Sequence, residues 1–201
     1  MTTFLIVRHA TCDPVGRSLA GRAPGVALNA TGRGEAARLA HRLARRQVSA
    51  LYSSPVQRAL ETAAWLADVW QLPARECEAL TEIDFGDWTG RTLDALAPEP
   101  AWQRFNSFRS GTRAPGGELM LEAQARAVAA VQRLRDEHPG EVVALVGHAD
   151  VLKALIGYYV GVPIDLCHRL ELAPASLSVL EVTEYGARLF GLNDVGPPPR
   201  G

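Results

Sequence analysis

The chain has 201 residues, 47% hydrophobic and 21% charged, with a formal net charge of −1, so it can bury one substantial core. That near-neutral balance gives no electrostatic basis for a nucleic-acid or membrane partner. Nearly all basic side chains are Arg, with Lys153 the single lysine, a composition bias and not a phosphate-binding comb.

Phe4 to Val7 is a continuous apolar run containing Ile and Val, which predicts a strand buried on both faces and ending at Arg8-His9. Gly, Pro and Asn then punctuate the chain as far as Asn29, predicting a long loop. A helix is expected from Thr31 to about Arg46. It contains the densest basic run, "RLAHRLARR", where Leu39 and Leu43 at helical spacing mark a solvated amphipathic face. "ALYS" (Ala50 to Ser53) reads as a second strand. Ser54 to Trp70 reads as a helix, with Ser54 as N-cap, Pro55 in the first helical position and Gln57 closing a capping box.

A strand is expected around Arg75 to Ala79, then a Gly- and aromatic-rich loop passing into a helix. The stretch from Ala97 to Gly117 is broken by Pro and Gly. It leaves room for one short helix carrying Trp102, Phe105 and Phe108, aromatics suited to covering the core. Glu118 to His138 predicts a long helix with Met120, Ala123, Ala127, Val131 and Leu134 along one face. Val142 to Val146 is another fully apolar strand, followed by a helix over Val151 to Val160. Ser176 to Val182 and Arg188 to Leu192 read as a closing hairpin around Tyr185-Gly186, and "GPPPRG" as a frayed tail.

Strands alternating with helices predict one three-layer α/β/α domain, its sheet mostly parallel and covered on both faces. A flap is expected over roughly residues 85–117. In such sheets ligands bind beyond the carboxyl ends of the strands. His9 and His148 each follow the carboxyl end of a buried strand, and Arg58 lies in the first turn of the helix after the second strand. With Arg8 they bring imidazoles and guanidinium forks to one edge beside a helix N-terminus, a setting for a tetrahedral dianion. A neutral imidazole against phosphorus is a competent nucleophile, so these residues ask for phosphoryl transfer.

Competing signals lack their context. "GRGEAA" (Gly32 to Ala37) fits a dinucleotide fingerprint but follows "LNAT" and not a strand. Cys12 and Arg17 are one residue too close for a cysteine-phosphatase loop. Cys12, Cys77 and Cys167 are odd in number and form no C-x-x-C pair, which predicts reduced thiols and a cytoplasmic setting. No basic leader or cleavage site suggests a signal peptide, and no run reaches the roughly 20 apolar residues of a membrane span. His41, His138 and His168 read as surface or helix-end residues, and no His/Cys cluster suggests a metal site.

Five stretches in order carry a resemblance: "RHAT" (Arg8 to Thr11), "SSPVQRALETA" (Ser53 to Ala63), "EIDFGDWTG" (Glu82 to Gly90), "PGGE" (Pro115 to Glu118) and "GHAD" (Gly147 to Asp150). Together they resemble the histidine phosphatase superfamily, with its phosphoglycerate-mutase-like fold, over Phe4 to about Asp194. The resemblance implies that His9 is the nucleophile and becomes phosphohistidine. It implies that Arg8, Arg58 and His148 hold the phosphate oxygens, and that Glu82 protonates the leaving oxygen and then activates water. Arg22, in "GRAPG", resembles a substrate-reaching loop position in some phosphatase members. No metal or cofactor is implied, and the expected partner is a small-molecule phosphate ester, met by a monomer or a homodimer.

Two positions depart from the pattern: Ala10 stands where Gly is usual, and Leu119 where many relatives have Ser. Mutases of the superfamily typically carry "ERHYG" at the acid motif and a longer insertion after it. This chain has "EIDFGDW", as the phosphatase branch does. The resemblance therefore implies hydrolysis of a phosphorylated metabolite. A phosphoglycerate-mutase-type transferase and a non-catalytic phospho-ligand module are the alternatives, and silent relatives would be expected to lose His9 or Glu82.

Overall fold

The computed structural model describes residues 1–197, so residues 198–201 of the expected frayed tail lie outside the described residues. The first apolar run forms strand β1 (Thr2–Arg8), in which Phe4, Leu5, Ile6 and Val7 are all buried. Four such side chains contribute about 1.5–3 kcal/mol each, so packing holds the strand without help from the His9 that follows it. The other strands are β2 (Ala50–Ser53), β3 (Ala74–Glu76), β4 (Val142–Gly147), β5 (Leu177–Val182) and β6 (Ala187–Asp194). They form one sheet in the order β3-β2-β4-β1-β5-β6. The first four run parallel, while β5 is antiparallel to β1 and β6 to β5.

Alternation along β1 divides the core. Leu5 and Val7 face α1 (Ala30–Leu43) and α2 (Gln57–Trp70). Phe4 and Ile6 belong to the opposite layer with α5 (Met120–Glu137) and α6 (Ala149–Val160). The predicted face of α5, from Met120 to Leu134, is wholly buried. Two short helices, α3 (Leu93–Leu96) and α4 (Pro100–Ser107), lie in the segment expected to form a flap.

Several boundaries differ from the sequence reading. Helix α1 starts at Ala30 because Asn29 caps it, its side chain accepting from the Gly32 N–H. Gly32 is required there: a Cβ would stand 1.9 Å from the Thr11 carbonyl oxygen. Helix α2 begins only at Gln57, with Val56 in the capping position, and the expected capping box does not form. The Ser54 hydroxyl accepts from the Val56 N–H but faces His148, and Gln57 turns to Glu61. The strand expected to run to Ala79 stops at Glu76 and gives way to a 3₁₀ turn over Glu78–Leu80. Trp102 and Phe105 stack in α4 and meet Trp88 edge-on, whereas Phe108 lies past the helix end and is exposed. Helix α6 starts at Ala149 with His148 as its N-cap residue, two residues earlier than expected, which brings that imidazole to both a strand end and a helix start.

Candidate active site

The carboxyl ends of β1 and β4 are joined across the sheet by the His9 N–H donating to the Gly147 carbonyl at 2.9 Å. This sets the His9 and His148 ring centroids 5.1 Å apart. Arg58, in the first turn of α2, enters between them and is almost fully buried. Its Nε donates to His9 Nε2 at 3.2 Å, and its Nη2 donates to His148 Nδ1 at 3.1 Å and to the Gly21 carbonyl at 2.9 Å. Its Nη1 is buried with no hydrogen-bond partner among the described residues, as is Nε of Arg8. Buried donors of this kind are costly unless an acceptor meets them. Two guanidinium donors therefore point to an anion.

The His9 tautomer follows from its contacts. Nδ1 lies 2.7 Å from the Ala10 carbonyl, which can only accept, so Nδ1 carries the proton and Nε2 keeps its lone pair. Burial, reinforced by the Arg58 charge, pushes His9 down to about 3, so the ring is neutral at physiological pH. The Ala10 N–H donates to the Thr62 hydroxyl, which donates to the Arg58 carbonyl. His148 is likewise held well below its ordinary value, by burial first and then by His9 and Arg58. Its Nδ1 accepts from Arg58, so its Nε2 donates to the Ser54 hydroxyl at 2.8 Å.

Glu82 reaches the same place from a loop. Its Oε2 is 3.8 Å from both Arg58 Nη2 and His148 Nδ1, and its Oε1 accepts from the Ile83 N–H. Burial raises its carboxyl to about 7, against the opposing pull of Arg58 and with added push from Asp150. A carboxyl poised near neutrality can give and take a proton.

Arg8, His9, Arg58 and Glu82 line one cavity of about 160 Å³, whose walls include Leu19, Phe85 and Asp150. A larger cavity of about 670 Å³ lies between α1 and Ala173–Ala175 and contains none of these groups. Chemistry, not volume, marks the site. Arg22 lies beside the acid loop, donating to the Glu82 carbonyl and to Glu118. Leu119 has no oxygen to cap α5, and Glu122 accepts from its N–H instead.

The sequence reading missed Ser54 and Thr62. Ser54 follows a strand end on the same edge, a signal it shares with His9 and His148, and Thr62 lies one helical turn beyond Arg58. The three cysteines are unpaired and buried. Among the described residues no group of three His, Cys, Asp or Glu side chains could hold a metal ion, and no helix is long and apolar enough to cross a membrane.

Residues 4–195 match the family model described as the histidine phosphatase superfamily (branch 1). Phosphoserine phosphatase 1 of Hydrogenobacter thermophilus is 27% identical over 198 residues, covering 96% of this chain and 92% of that protein. Phosphoglycerate mutase-like protein 4 of Arabidopsis thaliana is 35% identical over 166 residues, covering 76% of this chain and 68% of its own. Among solved structures, YhfR of Bacillus stearothermophilus superposes with a TM-score of 0.91 at 32% identity, covering 98% of each chain. The mycobacterial glucosyl-3-phosphoglycerate phosphatase superposes with a TM-score of 0.85 at 27% identity, covering 96% of this chain and 98% of its own.

Proposed function

The chain belongs to the histidine phosphatase superfamily, and from that premise we propose that it hydrolyses small phosphate monoesters through a phosphohistidine formed on His9. The observation that carries this reading is the pairing of a lone pair on His9 Nε2 with a buried Arg58 whose Nη1 lacks a partner. Such a pair offers a nucleophile and an oxyanion donor in one pocket.

In the first step the Nε2 lone pair forms a bond to phosphorus while the ester P–O bond breaks. Arg8 and Arg58 hold the non-bridging oxygens, and their charge takes up what develops on the phosphoryl group. His148, kept neutral by burial first and then by neighbouring positive charge, joins them as a donor once a bound dianion offsets both. The leaving oxygen takes the Glu82 proton and departs as an alcohol. In the second step ionised Glu82 takes a proton from water, the water oxygen attacks phosphorus, and the P–N bond breaks. Phosphate leaves, His9 is neutral again and Glu82 is again protonated. Throughout, Nδ1 keeps its proton and donates it in a hydrogen bond to the Ala10 carbonyl.

For Arg22 a contact to the organic part of the substrate is a further proposal, resting on Nη1, which is 3.8 Å from Asp84 and does not donate to Glu118. The relatives named as phosphoserine and glucosyl-3-phosphoglycerate phosphatases support a small phosphorylated metabolite as substrate. The three unpaired thiols support a cytoplasmic setting.

The test is to trap the intermediate. Acid-labile, alkali-stable label from a radioactive phosphomonoester should map to the His9 peptide, with phosphorus on Nε2 by ³¹P NMR. Turnover without any labelled enzyme under single-turnover conditions would refute the proposal.

A further inference from the structure

Glu82 is carried by neither a helix nor a strand: residues 81–85 lie between two 3₁₀ turns, Glu78–Leu80 and Gly86–Trp88. Its placement must come from contacts made by its backbone. The Glu82 carbonyl accepts from Arg22 Nε at 2.8 Å and from Arg126 Nη2 at 3.4 Å. Two guanidiniums at one carbonyl repel unless an anion lies between them. That anion is Glu118, whose side chain is 13% exposed. Its Oε1 accepts from Arg126 Nε at 2.9 Å, and its Oε2 from Arg126 Nη2 at 3.1 Å and Arg22 Nη2 at 3.0 Å. The same Oε2 accepts from the Asp84 N–H, and the Glu118 N–H donates back to the Asp84 carbonyl. Arg126 anchors the cluster on α5 and also donates to the Ala79 carbonyl, so the acid loop is gripped on both sides of Glu82.

We propose that Glu118 is a positioning residue: by binding Arg22 and Arg126 together it fixes the backbone at Glu82 and aims the acid at the leaving oxygen. Glu118 is bonded to none of Arg8, His9, Arg58 or His148. Its role therefore shows in proton transfer and not in phosphate binding. The proposal rests on the reading of Glu82 as the general acid.

Single-turnover phosphoenzyme formation is to be measured with an alkyl phosphate and with p-nitrophenyl phosphate, alongside vanadate affinity. The variants are Glu118→Ala, Arg126→Met, Glu82→Gln and the double variant Glu118→Ala/Glu82→Gln. An alkoxide needs the proton and a nitrophenolate does not. A misplaced acid in Glu118→Ala should therefore slow the alkyl reaction on the order of 10- to 100-fold. The aryl reaction and vanadate affinity should stay within about twofold of wild type, and the double variant should lose no more than Glu82→Gln alone. Arg126→Met keeps the helix and Glu118, so it should show the same signature in smaller degree, and it decides the matter if Glu118→Ala fails to fold. Equal slowing of both substrates, lost vanadate affinity, additive losses or no slowing would each overturn the positioning role. If Glu82→Gln responds to the leaving group while Glu118→Ala and Arg126→Met do not, only the positioning role fails. If Glu82→Gln itself is insensitive, the general-acid reading fails and this role falls with it.

Discussion

Replacing Arg58 by Met removes a buried charge while keeping an unbranched side chain along the same path. Function should then fall far more than stability. In the native protein the guanidinium is 2% exposed, gives one N–H to each imidazole and one to the Gly21 carbonyl, and keeps Nη1 without a partner. Its nearest carboxylate, Glu82, is 3.8 Å away and pushed up to about 7, so at neutral pH it is only partly ionised. Removing the buried cation relieves its desolvation cost, but His9, His148 and the Gly21 carbonyl each lose a donor, at about 1–3 kcal/mol for a buried acceptor left unpaired. The two effects oppose each other, so the ligand-free melting temperature should move by only a few degrees. Losing an oxyanion donor costs on the order of 10²–10³ in rate, about 2.7–4 kcal/mol, so kcat/KM should fall by at least that factor. The extra Tm that wild type gains in saturating vanadate should largely vanish, because stabilisation by a ligand tracks its affinity. The assay is a melt with and without vanadate, paired with steady-state kinetics. A variant that melts several degrees lower yet keeps its vanadate response would show Arg58 to be a structural brace.

His9→Ala should lose turnover to the limit of detection while folding cooperatively, since Phe4 to Val7 supply the packing of β1; circular dichroism and phosphate release check both halves. With an alkyl phosphate, phosphoenzyme formation needs protonated Glu82, so its rate should fall about tenfold per pH unit above about 7 in stopped-flow or quench measurements. No loss should occur from about 6.5 down toward 5, because His9 titrates near 3. The same shifts act on stability. Glu82, raised in the fold, binds its proton more tightly when native, so its contribution is favourable below its unfolded value and is lost as pH rises through about 7. His9, lowered in the fold, costs stability as pH falls from about 6.5 toward 3, and a pH series of melts should show both slopes. On the proposed roles of Arg8 and Arg58, which would supply the positive charge at phosphorus, activity should survive exhaustive chelation. A strict requirement restored by added magnesium or zinc would sink that view.

The sheet edge is legible in the sequence because β1 and β4 are apolar throughout and each ends at its histidine, so strand and site share one signal. Arg58 is legible for a related reason: the helix it opens is amphipathic and follows a short strand directly. Glu82 is not, because its loop has no periodicity and is held by Glu118 and Arg126, far along the chain. Its role comes from the resemblance alone. Ser54 shows a different limit. A hydroxyl before Pro55 reads as a helix cap, but the same oxygen also meets His148, and local propensity carries no information about a residue 94 positions away. The short aromatic helix was legible as an element, yet its end was not. Nothing in the composition around Phe108 says that the helix stops one residue before it.

The two glycine-bearing motifs meet at a closed neck. Gly86, at φ +50°, lets its Cα lie where a Cβ would be 2.1 Å from the Pro115 carbonyl oxygen. Asp87 N–H donates to that same oxygen at 2.8 Å, and Glu118 N–H donates to the Asp84 carbonyl at 2.9 Å. The segment between, with α3 and α4, is nonetheless part of the domain: Trp88 and Phe105 share the core layer of Phe4 and Ile6, Leu93 N–H donates to the Arg17 carbonyl, and Arg109 and Ser110 bond to Asp150 and Asp165. Doubling the length of a closed loop costs only about 0.6 kcal/mol in closure entropy. A longer tip alone would therefore cost little, whereas replacing the whole segment would also break these contacts. The wall of the cavity is mostly the loop after β1, and the segment contributes Leu93 to it while bracing that loop at Arg17 and Leu19.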